Sequence, residues 1–564
     1  MNPVQSPQAP PPSSKSSLFE GVTLYHWLVL ILASCGWLFD CMGQRIFVLA
    51  REPALKELLG ATASDGDVKF WGGMATFILM IGWATGGILF GTMSDKYGRV
   101  KAMIATLLAY TVFSGLSGIA RTGIEFLVYR FLCGMGVGGM FGAATTLLAE
   151  SVPPRFRTMA LGCMQALSAL GNMTASALSI SITPGLENYW GRWSGWQVLF
   201  FVGVLPAVLA FPMLAILKEP DPWKKAKADA ASGSGKKVGR ISDLFSHPRW
   251  RRSTLVGICL GVAGMVGLWG IAFFSPELIT TAFKNRLLLA EEIGKPAEIC
   301  LALKAAPNPA IAHLKAQFTP QTLRQLEQVE AGKEVSAPPI KEALLNELNR
   351  LVQQGSLYNA EAFKGVPLKK GTANLVKRVE TKPEKQDIVF LNRQLLEQLF
   401  PGTIAELQKT IDRTRSRGTL LQDVGSLLGM LSFTFFAARF NRRTAFLGAF
   451  IFCLVTVSFV FYSLKTEADV YWMLPLMGFG TLACFAGYSI YFPEIFPTRL
   501  RGTGVGFCYN TVRYLAAPFP FLLGWLSTMM PFRTVAIFMS SIYLVGIVAL
   551  IWAPETKGQP LPED

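Results

Sequence analysis

The sequence predicts an all-α polytopic membrane protein: twelve transmembrane helices in two pseudo-symmetric six-helix bundles, with a large extracytoplasmic helical insert between helices 7 and 8. Three observations carry that expectation. Hydrophobic residues make up 51% of the 564-residue chain and charged ones only 16%, against about 25% charge in soluble proteins. The apolar residues come in blocks of roughly 20, long enough for a helix to cross a bilayer. The loops after the fourth and tenth blocks carry one pattern, Glu150-x-x-Pro153-x-x-x-Arg157 and Glu494-x-x-Pro497-x-x-x-Arg501, as a duplicated six-helix unit would.

Residues 1–20 are rich in Pro and Ser and lack the apolar core of a signal peptide, so they are expected to form a disordered cytoplasmic tail. Spans follow near 24–49, 71–92, 102–120, 124–148, 158–181 and 196–217, and residues 21–217 are the first bundle. A basic cytoplasmic linker, 218–252, ends Arg249-Trp-Arg-Arg252. Helix 7 lies within 253–282, near 254–279. Helices 8–12 lie within 419–553, near 419–437, 445–464, 470–491, 504–528 and 532–552, and a cytoplasmic tail, 554–564, closes the chain.

The formal net charge is +16, and the bases sit in alternate short loops: Lys96, Arg99 and Lys101; Arg155 and Arg157; Arg439, Arg442 and Arg443; Arg499 and Arg501. Basic residues concentrate on the cytoplasmic side, so these loops and both termini are expected inside a plasma or inner membrane. Topology therefore explains the basic charge, and the bilayer rather than nucleic acid is the expected partner. The insert, 283–418, then lies on the other face. It is polar and helical in pattern, with Ile340, Leu344, Leu345, Leu348, Leu351 and Val352 forming an amphipathic stripe. Cys300 is its single cysteine, so it holds no internal disulfide. The chain has no G-x-x-x-x-G-K-[ST] phosphate loop, and its histidines, His26, His247 and His313, are scattered. No enzyme activity, cofactor or metal site is expected, and nothing in the pattern sets an oligomeric state.

Gly91-Thr-Met-Ser-Asp95-Lys-Tyr-Gly98-Arg99-Val-Lys101 joins spans 2 and 3. Gly98 supplies the backbone freedom of a short turn. Asp95 can pair with nearby bases or accept hydrogen bonds from a helix N-terminus. The spacing G-x-x-x-D-K-x-G-R resembles the loop between helices 2 and 3 in the major facilitator superfamily, with Val100 replacing one expected base. A worn copy, Ala437-Ala-Arg439-Phe-Asn441-Arg442-Arg443, follows span 8, with Ala438 at the place of the acid. Arg130-x-x-x-Gly134-x-Gly136-x-Gly138 and Pro554-Glu-Thr-Lys-Gly558 resemble the sugar-porter and organic-ion branches. The insert resembles that of the synaptic-vesicle-glycoprotein branch in position alone.

That resemblance implies alternating access around a cavity lined mostly by helices 1, 4, 7 and 10. It implies a cytoplasmic gate made of Gly91, Asp95, Gly98, Arg99, Glu150, Arg157, Glu494 and Arg501, with salt bridges from Asp95 and Glu150 to Arg99 or Arg157 latching the outward-open state. Ionisable groups inside a membrane usually mark pathways or relays. In proton-coupled sugar porters an Asp on helix 1 pairs with the Arg that opens the helix-4 motif. Asp40 and Arg130 match those positions, and depths reckoned at about 1.5 Å per residue let them meet. Asp40 is therefore expected to bind the coupling proton. Gln44, Arg45, Trp269, Asn510 and Arg513 are cavity candidates. Gly134, Gly138 and Gly142 stand four apart, as in helices that pack closely.

Trp269-Gly-Ile-Ala-Phe-Phe-Ser275-Pro276 resembles the end of sugar-porter helix 7, but Gly264-Met-Val-Gly267 stands where paired glutamines usually precede it. The expected substrate is thus a small polar organic solute: a sugar, a sugar acid or an organic acid. The expected function is secondary active transport, as proton-coupled symport. A solute-sensing receptor or scaffold, using the insert to bind a partner, is the other reading.

Overall fold

A computed structural model describes residues 19–60, 65–182, 193–232, 237–283, 286–327, 338–354, 357–368, 370–381, 383–526 and 529–563. Most of the expected N-terminal tail, residues 1–18, lies outside them. The described chain is helical, with isolated bridges at Ile293, Pro401 and Ile404.

In the first half, α1 (Leu24–Leu59), α2 (Asp65–Tyr97), α3 (Arg99–Gly118), α4 (Gly123–Ser151) and α5 (Pro154–Ser181) follow one another through short turns. The sixth span is two helices, α6 (Gly195–Val202) and α7 (Ala210–Ile216), joined by a tighter 3₁₀ turn at Leu205–Leu209. The linker contains α8 (Asp221–Ala231) and α9 (Asp243–Ser246). Span 7 begins as α10 (Pro248–Met265), loosens into a π-helical turn at Val266–Ile271, and continues as α11 (Ser275–Phe283). The insert holds α12 (Pro296–Ala305), α13 (Pro309–Ala316), α14 (Pro320–Glu327), α15 (Pro338–Gln354), α16 (Lys370–Thr381) and α17 (Lys385–Leu399). The remaining spans are α18 (Leu407–Arg439), α19 (Arg442–Ser463), α20 (Glu467–Glu494), α21 (Arg501–Ala516) with α22 (Phe519–Leu526), and α23 (Phe532–Met539) with α24 (Tyr543–Ala549).

Among the described residues ten helices are long and apolar enough to cross a membrane, against the twelve expected. The fifth and eleventh expected spans make the difference. Gln165, Asn172 and several Ser and Thr residues dilute α5. The eleventh span is divided before Phe519, where Pro518 stands between α21 and α22; a proline inside a helix removes a hydrogen bond and clashes with the preceding turn.

The chain divides into two compact units. The first contains residues 1–274, 420–462 and 473–564. Within it α2 packs against α4, α3 against α4, α1 against α5, and α2 against α21. The α2–α4 contact depends on glycine: a side chain at Gly134 would strike the backbone of Leu79, and one at Gly138 the backbone of Trp83. Removing the Cβ lets the two backbones touch, which favours association inside a membrane. Gly142 lies beside Gly506 of α21. These three glycines are packing residues.

The second unit contains residues 275–419 and 463–472. It has a hydrophobic core of its own, in which Ile299, Leu344, Leu348, Leu395 and Leu396 are buried. The stripe read from the sequence forms one wall, on α15. Buried Arg393 joins Glu292 at 2.5 Å and Glu397 at 3.3 Å, and Asn392 accepts from the backbone of Leu357 while donating to Val352. Burial pushes the Cys300 thiol up to about 11, so it is a core residue and not a reactive one.

Candidate functional site

Two clusters of buried charge in the first unit contain most of the residues singled out by sequence. The first gathers the ends of the helices. Gly98 has φ +124° and turns the chain between α2 and α3, a conformation that glycine adopts without strain. The turn brings Arg99 back onto Asp95 at 2.8 Å. Arg99 also grips Glu150 with two hydrogen bonds, Nε to Oε2 at 3.1 Å and Nη2 to Oε1 at 3.0 Å. Glu150 receives Arg501 from the other half of the chain at 2.5 Å. Asp95 crosses as well: Oδ1 accepts from the Gly502 amide at 2.9 Å, and Oδ2 from the amide and hydroxyl of Thr503 at 2.7 and 2.6 Å. Asp95 is therefore the cap of α21, placed where the helix dipole favours negative charge. Gly91 lets the helices approach, because a side chain there would strike Gly502 O.

Arg157 departs from its expected place. It does not pair with Glu150; its Nε donates to Ala149 O at 2.9 Å. Arg501 repeats that contact in the second half, with Nε donating to Pro493 O at 2.9 Å, and adds the ion pair to Glu150. The worn loop after span 8 also retains more than its sequence suggests. Arg442 grips Glu494 as Arg99 grips Glu150, at 3.1 and 2.9 Å. With Ala438 in place of an acid, its Nη2 donates to Thr158 of the first half at 2.6 Å.

Two acids that sequence reasoning missed complete this end. Glu219, in the linker, accepts from the backbone amides of Arg99, Val100 and Lys101. Glu555, in the tail, accepts from those of Arg442 and Arg443. Each caps a helix start. Linker and tails gather here too: Trp223 Nε1 donates to Asp95 O at 2.7 Å, Glu20 pairs with Arg155 at 2.9 Å, and Tyr491 donates to Pro554 O at 2.7 Å. Both ends of the described chain thus lie at one end of the bundle.

The second cluster lies deeper. Asp40, half-way along α1, is fully buried; Gln44 donates to its Oδ2 at 3.1 Å, and Oδ1 has no hydrogen-bond partner. Asp40 and Arg130 form no ion pair. Arg130 instead donates to Ser117 Oγ and Phe113 O and lies over three rings, with Phe200 at 4.7 Å, Phe47 at 5.6 Å and Phe126 at 5.7 Å. The rotation of α4 turns Arg130 toward α3 and α6.

The cation whose field reaches Asp40 is Arg513. Its Nη1 donates to Tyr509 O at 2.7 Å and to Asn510 Oδ1 at 2.8 Å, both on its own helix. Its guanidinium stacks on Trp83 at 3.8 Å and Tyr509 at 4.6 Å, and Nε has no hydrogen-bond partner. Trp269, in the π-helical turn of span 7, meets Trp83 edge-on at 6.1 Å, and π-helical turns recur at functional sites. Tyr509 stacks on Phe141, which meets Trp37. The ring nitrogens of Trp37 and Trp83 and the Tyr110 hydroxyl are buried without hydrogen-bond partners. Unpartnered polar atoms in a low-dielectric interior are costly, and here they gather around one unpaired cation and one carboxylate.

Beyond Asp40, one to two turns further along α1, Arg45 reaches across to Asp423 of α18 at 2.7 Å. The first half thus meets the second at two levels, with Asp40 and Arg513 between them. At Gly264 and Gly267, where paired glutamines would precede Trp269, the hydroxyls of Tyr488 and Tyr543 fill the space.

Two family models match the sequence. One, described as Major Facilitator Superfamily, covers residues 33–290; the other, Sugar (and other) transporter, covers 420–563. The chain is 28% identical over 208 residues to a cis,cis-muconate transport protein of Acinetobacter baylyi, covering 37% of this chain and 48% of that one. It is 29% identical over 203 residues to a benzoate transport protein of the same organism, covering 35% and 40%. The match thus spans less than half the length of either relative. The fold is similar to that of the proton:xylose symporter XylE bound to 6-bromo-6-deoxy-D-glucose, with a TM-score of 0.52, 17% identity, and coverage of 95% of this chain and 98% of that one.

Proposed function

We propose that the chain is a secondary transporter of the major facilitator superfamily that moves a small organic acid across the membrane by alternating access, in symport with protons. The observation that carries this reading is buried Arg513, with Asp40 a second buried charge. A guanidinium stacked between aromatic rings, bonded only within its own helix and lacking a carboxylate at ion-pair distance, is suited to receive an anion. Arginine binds carboxylates through two parallel hydrogen bonds. Trp83, Trp269 and Tyr509 offer flat apolar surface to the body of such a solute. The names of the two relatives, muconate and benzoate transport proteins, agree with a planar acid better than with a sugar.

Asp40 is the proton carrier in this scheme. With the site open to water its carboxylate is solvated; on closure, burial favours the protonated form. A bound organic anion beside Arg513 strengthens that preference, because it offsets a positive charge that opposes protonation. Proton and anion therefore load together. The Arg45–Asp423 pair on one side and the Asp95, Glu150 and Arg501 network on the other act as two gates, of which at least one must part for solute to enter or leave. We read the gate at Asp95 as cytoplasmic, from its basic loops. Both described chain ends gather there, which supports an even number of crossings; twelve, with the insert extracytoplasmic, is the number we propose.

A thermal-shift screen of the purified protein with aromatic acids, dicarboxylates and pentoses at two pH values tests the substrate class. Stabilisation by acids that disappears in Arg513→Ala supports it, and stabilisation by pentoses alone sinks it. The receptor reading draws on the insert having its own core. Replacing residues 286–406 by a short Gly/Ser linker separates the two, because a transporter retains flux.

A further inference from the structure

The surface of the first unit carries a groove of about 620 Å³ between α10 and α24. Its walls are Leu255 and Cys259 on one helix and Leu544 and Val548 on the other, with Trp552 at one end. Leu255, Leu544, Val548 and Trp552 are exposed. Two charged residues alone line it, Arg251 and Arg252, both at the start of α10 beside Trp552. Arg252 Nε donates to Trp552 O at 2.8 Å, which pins one guanidinium at the mouth. The other Arg252 nitrogens and the Arg251 side chain have no acidic partner among the described residues at ion-pair distance.

We propose that this groove binds an anionic phospholipid, one acyl chain lying between α10 and α24 and the phosphate held by Arg251 and Arg252. The charge distribution selects that occupant. An apolar channel lies on helices long and apolar enough to cross a bilayer, so its natural filling is hydrocarbon. A channel with two guanidiniums at one end and no acid along it favours a molecule with a negative head and an apolar tail. The tryptophan at the same end suits the headgroup level, where indole rings concentrate. The arginines open span 7 immediately after the linker that docks on Asp95, so they face the leaflet assigned as cytoplasmic, where anionic lipids attract basic segments. A zwitterionic lipid would supply the tail without the net charge. A second copy of this chain would cover the apolar walls and leave the guanidiniums unmatched.

The test uses full-length protein in detergent, titrated with phosphatidylglycerol, phosphatidylcholine or inorganic phosphate and read by native mass spectrometry and thermal unfolding. Phosphatidylglycerol is expected to bind and raise the unfolding temperature, with phosphatidylcholine much weaker and inorganic phosphate without effect. Arg251→Ala/Arg252→Ala should weaken phosphatidylglycerol binding roughly thirtyfold. Cys259→Trp, which keeps both arginines and fills the groove, should weaken it too. Equal binding of the two lipids, full retention in both variants, or stabilisation by inorganic phosphate alone would overturn the proposal. So would cross-linking between Cys259 residues of two copies in lipid, which would assign the groove to self-association.

Discussion

Glu150 of the first half and Arg501 of the second form a 2.5 Å ion pair with both side chains fully buried. Arg99 shares the same carboxylate and also pairs with Asp95, so two acids and two guanidiniums form one cluster. Burial makes that cluster all-or-none. Its desolvation is offset only while each partner is present, and it is tolerable in this closed state because the two halves supply partners to each other.

Glu150→Gln leaves Arg99 and Arg501 without their shared counter-charge and should cost the closed state about 3–5 kcal/mol. Thiol labelling of a cysteine placed at Ser94, buried here, should then accelerate by at least about a hundredfold. Unchanged labelling would mean that the cluster does not hold the halves together.

The Arg45–Asp423 pair is partly exposed, with side chains 21% and 11% accessible, so its contribution is smaller. A double-mutant cycle with Arg45→Ala and Asp423→Ala should return a coupling of about 0.5–2 kcal/mol in the unfolding free energy. Charge exchange, Arg45→Asp with Asp423→Arg, should restore most of the transport that either single reversal removes. Failure of the exchange, with both single variants folded, would argue against an outer gate.

Arg130 and Asp40 should separate functionally. Arg130→Gln removes contacts to Ser117 and three aromatic rings and should lower the unfolding temperature. Proton-driven uptake by the surviving protein should persist. Loss of coupling with normal stability would restore the pairing expected from sequence.

Glu555 supplies a pH dependence where it caps the start of α19. Burial raises its pKa, but the backbone amides of Arg442, Lys557, Arg443 and Thr556 more than offset that and hold it below the usual glutamate value. A depressed carboxylate contributes stability above its unfolded pKa, about 4.3, and loses it as pH falls through the folded value. Wild type should therefore lose stability relative to Glu555→Gln as pH falls below about 4. Parallel unfolding curves for the two proteins down to pH 3 would contradict this capping role.

How much was legible follows from what a helix encodes. Rise per residue gives depth, so Asp40, Arg130 and Arg513 could be recognised as buried charges from position alone. Azimuth comes from packing, and nothing in span 4 says that Arg130 faces Ser117 and three phenylalanines rather than Asp40. The gate loops were readable because Gly98, Asp95 and Arg99 lie within one turn. Their partners were not: Gly502 and Thr503 offer backbone amides, which every residue has. Glu219 and Glu555 looked like linker and tail, since a capping acid more than a hundred residues from its helix leaves no local pattern. The insert's core was partly legible, as the Ile340 to Val352 stripe.

Proton-driven accumulation tests the central claim most directly. Proteoliposomes containing wild type or Asp40→Asn are supplied with an organic acid that stabilises the purified protein, with and without an inward proton gradient. Wild type should accumulate the acid only with the gradient, and Asp40→Asn should exchange it across the membrane without accumulation. Undiminished uphill uptake by Asp40→Asn would contradict the assignment of the proton to this carboxylate.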